Sequence, residues 1–213
     1  KNGIQHTLPI STSLSLFNYI NVSPSFNYTE RWYFKKVSQQ WNNDTKQLET
    51  LDPEYGFWRL YNYNASVSAN TTVYGTYVAK KKERKLQAVR HTITPNVGFS
   101  YAPDFSRQKY GFYETVQTDT TGKFKVYSPF TDNAYGVPGS GEQLSLNFGL
   151  SQSLEAKIRT QDTVKKIKII DQISVSGSYN FLADSMRLSN LPVQLRSTIY
   201  QNVALNLSMT LDP

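Results

Sequence analysis

The sequence predicts an all-β protein, an antiparallel transmembrane β-barrel of the outer-membrane type, with about ten strands of a larger barrel in this chain. Residues 166–182 place apolar side chains at odd positions and polar ones at most even positions, the period of two of a strand with unlike faces. The same alternation recurs along the chain. Only 38% of the residues are apolar while 14% are aromatic, which is typical of strands that have one wetted face and aromatic girdles at the membrane interfaces.

Ten segments alternate well enough to be predicted as strands. Ile20 and Val22 share one face of segment 19–34, and the leucines of 142–159 and 202–211 repeat this pattern. The longest segments exceed the about 9 to 11 residues that cross a bilayer as a tilted strand. The predicted strands are residues 7–17, 19–34, 56–69, 71–79, 87–102, 121–127, 142–159, 166–182, 191–200 and 202–211.

The predicted connections are short turns and long polar loops. Tight hairpins are predicted at residues 69–71 and 200–202. Strand direction does not alternate consistently through residues 103–141, so at least one strand there is miscounted. The long loops are predicted at residues 36–54, 103–120, 128–141 and 183–190.

Three prolines fall inside predicted strands, Pro9, Pro24 and Pro95. Proline cannot donate a hydrogen bond to a neighbouring strand, so it belongs at edges, bulges or weak seams. A weak seam would let a barrel open sideways, whereas a bulge only sets the local twist. The bulge is the interpretation that we favour for each proline.

The residues that carry enzyme chemistry are scarce. The chain has no cysteine, and its two histidines, His6 and His91, have no defensible carboxylate partner. The glycine-rich segment 136–141 lacks the lysine of a phosphate-binding loop. The sequence therefore predicts no enzyme, no metal site and no cofactor.

The limits of the chain predict a piece of a longer protein. No run of about 18 apolar residues is present, so no transmembrane helix is expected. The opening residues lack the apolar region of a signal peptide. We expect residues 1–213 to be part of a single outer-membrane barrel domain, without the N-terminal periplasmic domain and the first strands.

The net charge of +7 suits an anionic partner, such as nucleic acid, acidic lipid headgroups or a phosphorylated glycolipid. The excess is concentrated in residues 80–85 and 165–168, where solvated charges that protect strand edges are an equally good explanation. Two further functional classes stay open. One is another outer-membrane channel or receptor barrel for nutrient uptake or protein export, and the other is a soluble carbohydrate-binding β-sandwich.

Several long segments resemble one family, the lipopolysaccharide-assembly outer-membrane protein LptD, also called the organic-solvent-tolerance family, in its Bacteroidetes branch. The resemblance runs through most of the chain and is carried by strand and turn patterns. Its segments are NYTERWYF at 27–34, RHTITPNVGFSYAPDFS at 90–106, EQLSLNFGLSQSLEAKIR at 142–159, KKIKIIDQISVSGSYNFLADSMRLSNLPV at 165–193 and NVALNLSMTLDP at 202–213.

The resemblance implies a large single-chain barrel in the bacterial outer membrane that works as a translocon. Such a barrel receives lipopolysaccharide from a periplasmic bridge protein, passes it through the lumen and inserts it into the outer leaflet. An LptE-like plug lipoprotein inside the barrel and the surrounding outer-membrane lipid are the other implied partners, and nucleic acid is not one of them.

Basic residues on the polar strand positions are the candidate site, since a positive lumen lining would suit an anionic sugar headgroup. Two triplets, Asp162-Thr163-Val164 and Asp184-Ser185-Met186, resemble acceptors of O-glycosylation in the Bacteroidetes. Thr163 and Ser185 are therefore predicted sugar sites. The predicted basic lining is Arg90, Lys157, Arg159, Lys168 and Arg196.

Overall fold

A computed structural model describes residues 1–80, 85–160, 163–200 and 203–213. Its regular structure is almost entirely β, with one short 3-10 turn at Gln108–Tyr110. No helix in these ranges is long and apolar enough to cross a membrane. The strands are β1 Gly3–Ser11, β2 Leu14–Leu16, β3 Ile20–Lys36, β4 Gln39–Asn42, β5 Gln47–Thr50, β6 Glu54–Thr71, β7 Val73–Val78, β8 Leu86–Ala102, β9 Glu114–Gln117, β10 Phe124–Tyr127, β11 Gln143–Thr160, β12 Thr163–Asn180, β13 Leu191–Tyr200 and β14 Val203–Leu211.

Ten of the strands form one antiparallel sheet in the order β1-β3-β6-β8-β11-β12-β13-β14, with β2 beside β3 and β7 beside β8. The all-β antiparallel prediction is confirmed. Within the described residues the sheet is open, since β1 and β14 lie at its two edges. An open sheet fits a piece of a barrel, and the membrane-spanning character stays a prediction.

The strand registers put like residues on like faces. Ile173 of β12 pairs with Leu195 of β13, and Leu195 pairs with Leu207 of β14. One position away, Arg196 pairs with both Gln172 and Asn206. Because neighbouring pairs in a ladder point to opposite sides, the sheet has one apolar face and one polar face. The sequence pattern therefore assigns the apolar and polar positions of these three strands to the correct faces.

Two predicted boundaries are wrong for a common reason. The hairpin predicted at residues 69–71 is absent, because β6 continues to Thr71 and β7 then pairs with β8, the strand that β6 also pairs with. The predicted strand 7–17 is likewise divided, because β1 and β2 both pair with β3. A short interruption in a strand resembles a turn in sequence. The hairpin predicted at 200–202 includes residues 201 and 202, which lie outside the described ranges.

The inconsistent strand direction through residues 103–141 now has an explanation. The predicted strand 121–127 contains only Phe124–Tyr127, which pairs with Glu114–Gln117 in a separate two-stranded sheet. The loop predicted at 36–54 holds another separate hairpin, Gln39–Asn42 with Gln47–Thr50. Neither hairpin belongs to the main sheet. The miscounted strand is therefore the one predicted at 121–127, and the strands of the main sheet alternate in direction once it is left out of the count.

The chain divides into two compact units. Unit 1 comprises residues 1–11, 25–65 and 101–143, and unit 2 comprises residues 12–24, 66–100 and 144–213. Unit 1 has a conventional buried core of Tyr33, Leu60, Phe105, Phe112 and Phe130.

Unit 2 has almost no core. Ala156 is the only hydrophobic side chain that is buried among the described residues of this unit. Large apolar side chains on β14 are instead exposed, for example Leu207 by 54% and Met209 by 55%. A soluble β-sandwich would cover this face with a second layer. We therefore find that unit 2 lacks the arrangement that the sandwich alternative requires.

Candidate functional site

The predicted basic residues belong to the polar face of unit 2, and three of them lie close together. Arg90 of β8 pairs with Thr76 of β7. On the other side, Lys157 of β11 pairs with Lys166 of β12, and Glu155 pairs with Lys168. Directly opposed residues lie about 4.5 to 5.5 Å apart at their Cβ atoms, so the charges of β11 and β12 lie close together. Arg90 lines the same pocket as Glu155, Lys157 and Lys166 and so belongs to this cluster.

This cluster borders a pocket of about 810 Å³ that is lined by side chains of β7, β8, β11 and β12. Lys166 Nζ lies 2.8 Å from Glu155 Oε2, and the Arg90 guanidinium lies 4.1 Å from the centre of the Tyr74 ring. Arg90 and Lys168 also interact electrostatically with Glu155. Lys168 also lies 3.8 Å from Asp171 Oδ1. Among the described residues that line the pocket, one carboxylate thus accompanies three cations, and the pocket keeps an excess of positive charge. We call this site the basic pocket, and its charged and aromatic members are Tyr74, Arg90, Glu155, Lys157 and Lys166. Lys168 lies beside the pocket, opposite Glu155.

A β-bulge positions Lys168 on this face. Between Gln152 and Glu155 the register shifts, and β12 contains two more residues than β11 over that stretch. An insertion of two residues leaves the alternation unchanged, so Lys168 keeps the same face as Gln172. Asp171 lies inside the bulge, where its Oδ2 accepts a hydrogen bond of 2.6 Å from Thr198 Oγ1. This contact explains why a carboxylate interrupts the apolar positions of the strand.

The remaining predicted basic residues have other surroundings. Arg159 pairs with Val164, and its backbone N–H donates to the carbonyl oxygen of Lys85 over 2.7 Å. Arg196 lies at a separate pocket of about 330 Å³ lined mainly by polar side chains of β12, β13 and β14. The structure brings together Arg90, Lys157 and Lys168 but not Arg196. That any of them lines a lumen stays a prediction.

Sequence reasoning missed three members of the basic pocket, Tyr74, Glu155 and Lys166. Lys166 is at an even position of the same alternating run as Lys168, so that pattern could have found it. Glu155 shares the polar positions of β11 with Lys157. Tyr74 could not be found, because nothing in its own segment indicates that it shares a pocket with residues of β11 and β12.

The predicted sugar sites are both exposed. Thr163 is the first residue of β12, and its Oγ1 donates a hydrogen bond of 3.2 Å to the carbonyl oxygen of Thr160. Ser185 lies in the connection between β12 and β13. Asp162 lies outside the described residues. Modification of Thr163 and Ser185 stays a prediction.

In unit 1 the long connection 103–142 packs against the polar face of β3. Phe130 stacks on Tyr33 with ring centres 6.1 Å apart, and the Tyr33 hydroxyl donates to the carbonyl oxygen of Gly136. Nε of Arg31, from the same strand face, donates over 3.1 Å to the carbonyl oxygen of Tyr135. The connection is therefore a packed structure and not a loose loop.

A carboxylate fixes both ends of this connection. Asp104 Oδ1 accepts hydrogen bonds from the Ser106 hydroxyl and backbone N–H and from the Gly141 N–H. The hydrogen bond from the Ser106 hydroxyl is the main cause that lowers the pKa of Asp104 below its ordinary value. Nearby, Arg107 forms an ion pair of 2.8 Å with Glu142.

The histidines have structural contacts. The His6 ring packs edge-on against Trp32, and His91 Nε2 lies 3.0 Å from Gln152 Oε1. The described part of the chain contains no group of three side chains that could hold a metal ion.

Comparison with known proteins identifies one family. The family model described as LptD protein matches residues 1–213. No curated protein and no solved structure matches the chain.

Proposed function

The chain belongs to the LptD protein family, whose members take part in lipopolysaccharide transport and assembly, and we propose that it forms part of an outer-membrane translocon barrel that inserts lipopolysaccharide into the outer leaflet. In this role the protein is a transporter and not an enzyme.

The observation that carries the proposal is the two-faced sheet of unit 2. The row Ile173, Leu195 and Leu207 lies on the apolar face of three adjacent strands, and no second layer covers it among the described residues. The opposite face carries serine, glutamine, asparagine and arginine side chains. In a transmembrane barrel, the apolar face of the sheet contacts hydrocarbon and the polar face contacts water.

The lengths of the connections support an orientation. The links that follow β2 and β11 are short, whereas those that follow β3, β8 and β12 are longer. Consecutive links of an antiparallel meander leave from opposite ends of its strands, and outer-membrane barrels have short turns on the periplasmic side. The basic pocket adjoins the short links, since Lys157 is close to the end of β11 and Lys166 is close to the start of β12. The pocket then lies toward the periplasm, the side from which the cargo arrives.

The polar face can serve the transport of an amphiphile with an anionic sugar headgroup. Hydroxyl and amide groups offer exchangeable hydrogen bonds, and the basic residues add a positive potential that attracts anions. The acyl chains stay in lipid, because burial in hydrocarbon is favourable for them and costly for the headgroup. A periplasmic bridge protein that delivers the cargo and an LptE-like plug lipoprotein in the lumen belong to this proposal, as does an origin in the Bacteroidetes.

The test reverses charge on the polar face. In the triple variant Arg90→Glu, Lys157→Glu and Lys168→Glu, we expect slower appearance of lipopolysaccharide at the cell surface, because the anionic headgroup is then repelled. Heat-modifiable migration on a gel should show that the barrel still assembles. Lys125→Glu, on the exposed strand β10, makes one substitution of the same kind outside the polar face of unit 2 and is the control. Unchanged surface delivery in an assembled triple variant would contradict the electrostatic role of the polar face.

A further inference from the structure

The basic pocket has the properties of a binding site and not only of a charged surface. Its cations come from three strands, with Arg90 on β8, Lys157 on β11 and Lys166 on β12. Paired strands hold the backbone of these residues, so the points from which the charged side chains extend are fixed relative to one another. Their side chains converge on a cavity of about 810 Å³, which is large enough for a sizeable organic group.

The charge arrangement indicates an anion that carries more than one negative charge. Glu155 compensates one lysine directly through the 2.8 Å ion pair with Lys166. Lys157, directly opposite Lys166, has no ion-pair partner among the described residues. Arg90 lies over the Tyr74 ring, a contact that holds the guanidinium in place without neutralising it. A phosphate group, with several acceptor oxygens, matches such a set of lysine and arginine donors.

The pocket also has an apolar side. Val78 and Ala88 form a cross-strand pair next to the pair of Thr76 and Arg90, and Val164 lines the pocket from β12. These side chains offer a surface for methylene groups adjacent to the cations. A small inorganic anion gains nothing from that surface, whereas the headgroup of a glycolipid can bury C–H groups of its sugar rings there while its acyl chains stay in lipid.

We propose that the basic pocket binds the phosphate groups of a phosphorylated glycolipid, with Arg90 and Lys157 as the principal donors and Glu155 as an internal competitor. The inference rests on the proposed function and assigns one subsite within it. In the empty pocket Glu155 holds Lys166, and an arriving phosphate competes with that carboxylate for the lysine. The competition weakens binding, so the cargo is recognised at the pocket and then released. A site of this kind serves passage, because a tightly held cargo would block the path.

The experiment measures binding to the full-length protein in detergent micelles with three probes. These are diphosphorylated lipid A, its fully dephosphorylated counterpart and inorganic pyrophosphate. We expect the diphosphorylated lipid to bind at least about tenfold more tightly than either of the other probes, since several charge-assisted hydrogen bonds are at stake. Added salt should reduce this preference, because the pocket is open to solvent.

Three variants separate the contributions. Arg90→Gln combined with Lys157→Gln should reduce the preference for the phosphorylated lipid by roughly tenfold, since both principal donors are lost. Glu155→Gln should tighten binding by roughly threefold or more, because the competing carboxylate is neutralised. Lys125→Gln removes a cation on β10 outside the pocket and should leave binding unchanged. Heat-modifiable migration is the check that each variant is folded.

Distinct results would overturn the proposal. Equal binding of the two lipids, or equal effects of Lys125→Gln and the double variant, would show that the pocket does not recognise phosphate. Pyrophosphate binding as tight as that of the phosphorylated lipid would refute an amphiphile as the ligand. Weaker binding by Glu155→Gln would refute the competitor role. If the protein binds the lipid in a phosphate-dependent way but delivers no lipopolysaccharide in cells, only the proposed function is contradicted. If delivery is normal and binding shows no preference for phosphate, only the assignment of the pocket as a phosphate site is contradicted.

Discussion

Substitution of Leu207 by arginine tests most directly whether the apolar face contacts hydrocarbon. Leu207 is the central residue of β14, Val203–Leu211, and pairs with Leu195 on the apolar face. The adjacent residue Ser208 pairs with Gln194 on the polar face. Ser208→Arg therefore places the same charged side chain one residue away on the opposite side of the same strand, and it is the matched control.

The expected cost follows from the position of Leu207 along the strand. Nine residues of antiparallel strand extend over about 27 Å, or about 21 Å of membrane thickness at a tilt of about 40°. Measured along the membrane normal, Leu207 then lies about 10 Å from the level of either end of the strand, close to the middle of the hydrocarbon. Arginine at that depth destabilises an outer-membrane barrel by about 2 to 4 kcal/mol. This cost corresponds to a roughly 30-fold to 700-fold change in the unfolding equilibrium.

Denaturant titration of the protein in lipid vesicles measures this free energy of unfolding, with heat-modifiable migration as the readout of the folded fraction. We expect Leu207→Arg to lower it by the stated amount and Ser208→Arg to change it by less than about 1 kcal/mol, as is usual at sites open to water. Equal losses in the two variants would refute the assignment of the faces. A larger loss for Ser208→Arg would reverse that assignment.

Two further predictions concern the packed connection 103–142. Phe130→Ala removes a ring that is buried against Tyr33 and Trp58. We expect local destabilisation of about 3 to 5 kcal/mol and faster proteolysis of the connection, while the strands of the main sheet still assemble. An unchanged cleavage rate would contradict the role of Phe130 in holding the connection in place. Asp104 has a lowered pKa in the folded protein, so its contribution to stability is present above its ordinary pKa of about 3.9 and is lost as the pH falls through the folded-state value. Near-ultraviolet circular dichroism should then show an acid transition of the aromatic cluster that is smaller in Asp104→Asn, and identical transitions in the two proteins would exclude Asp104 as its cause.

The sequence was sufficient to predict the two faces of the sheet, because side chains alternate with a period of two whatever the neighbouring strands are. Even the exceptions in residues 166–182 have local causes. A Cβ atom at Gly177 would lie 2.5 Å from Leu191 Cδ2 and 2.7 Å from Phe148 Cζ, so any larger residue would displace these side chains. Asp171 is accommodated by the bulge and by its hydrogen bond from Thr198.

Pairing between distant strands could not be predicted in the same way. That β7 continues along β8 depends on residues 73–78 meeting residues 88–93, and nothing within β7 specifies its partner. The composition of the basic pocket depends on this pairing and on the register shift near Gln152. The pattern within one strand can therefore predict which residues are polar and share a face. It cannot predict the pocket, which depends on how four strands are arranged.

The prolines illustrate the same limit. Pro24 lies next to the place where pairing of β3 passes from β1 to β2, and its carbonyl oxygen accepts a hydrogen bond of 3.2 Å from the N–H of Thr12. An interruption of the ladder at this place is what the bulge interpretation expects. Pro9 instead pairs with Asn27 without a register shift, on the edge strand β1, where a missing N–H donor is tolerated.

Aromatic side chains are buried in unit 1 and exposed in unit 2, a difference that composition alone does not predict. We predicted interfacial girdles from their number, yet Tyr33, Phe105, Phe112 and Phe130 are buried in the core of unit 1. Unit 2 shows the reverse, since Phe99 stacks on Phe181 while both rings remain exposed. A chain poor in aliphatic residues can fold in this way because only unit 1 needs an interior, which bulky rings fill efficiently. Unit 2 has almost no interior and obtains its order from strand pairing, and its exposed apolar face is suited to the hydrocarbon environment that we propose for it.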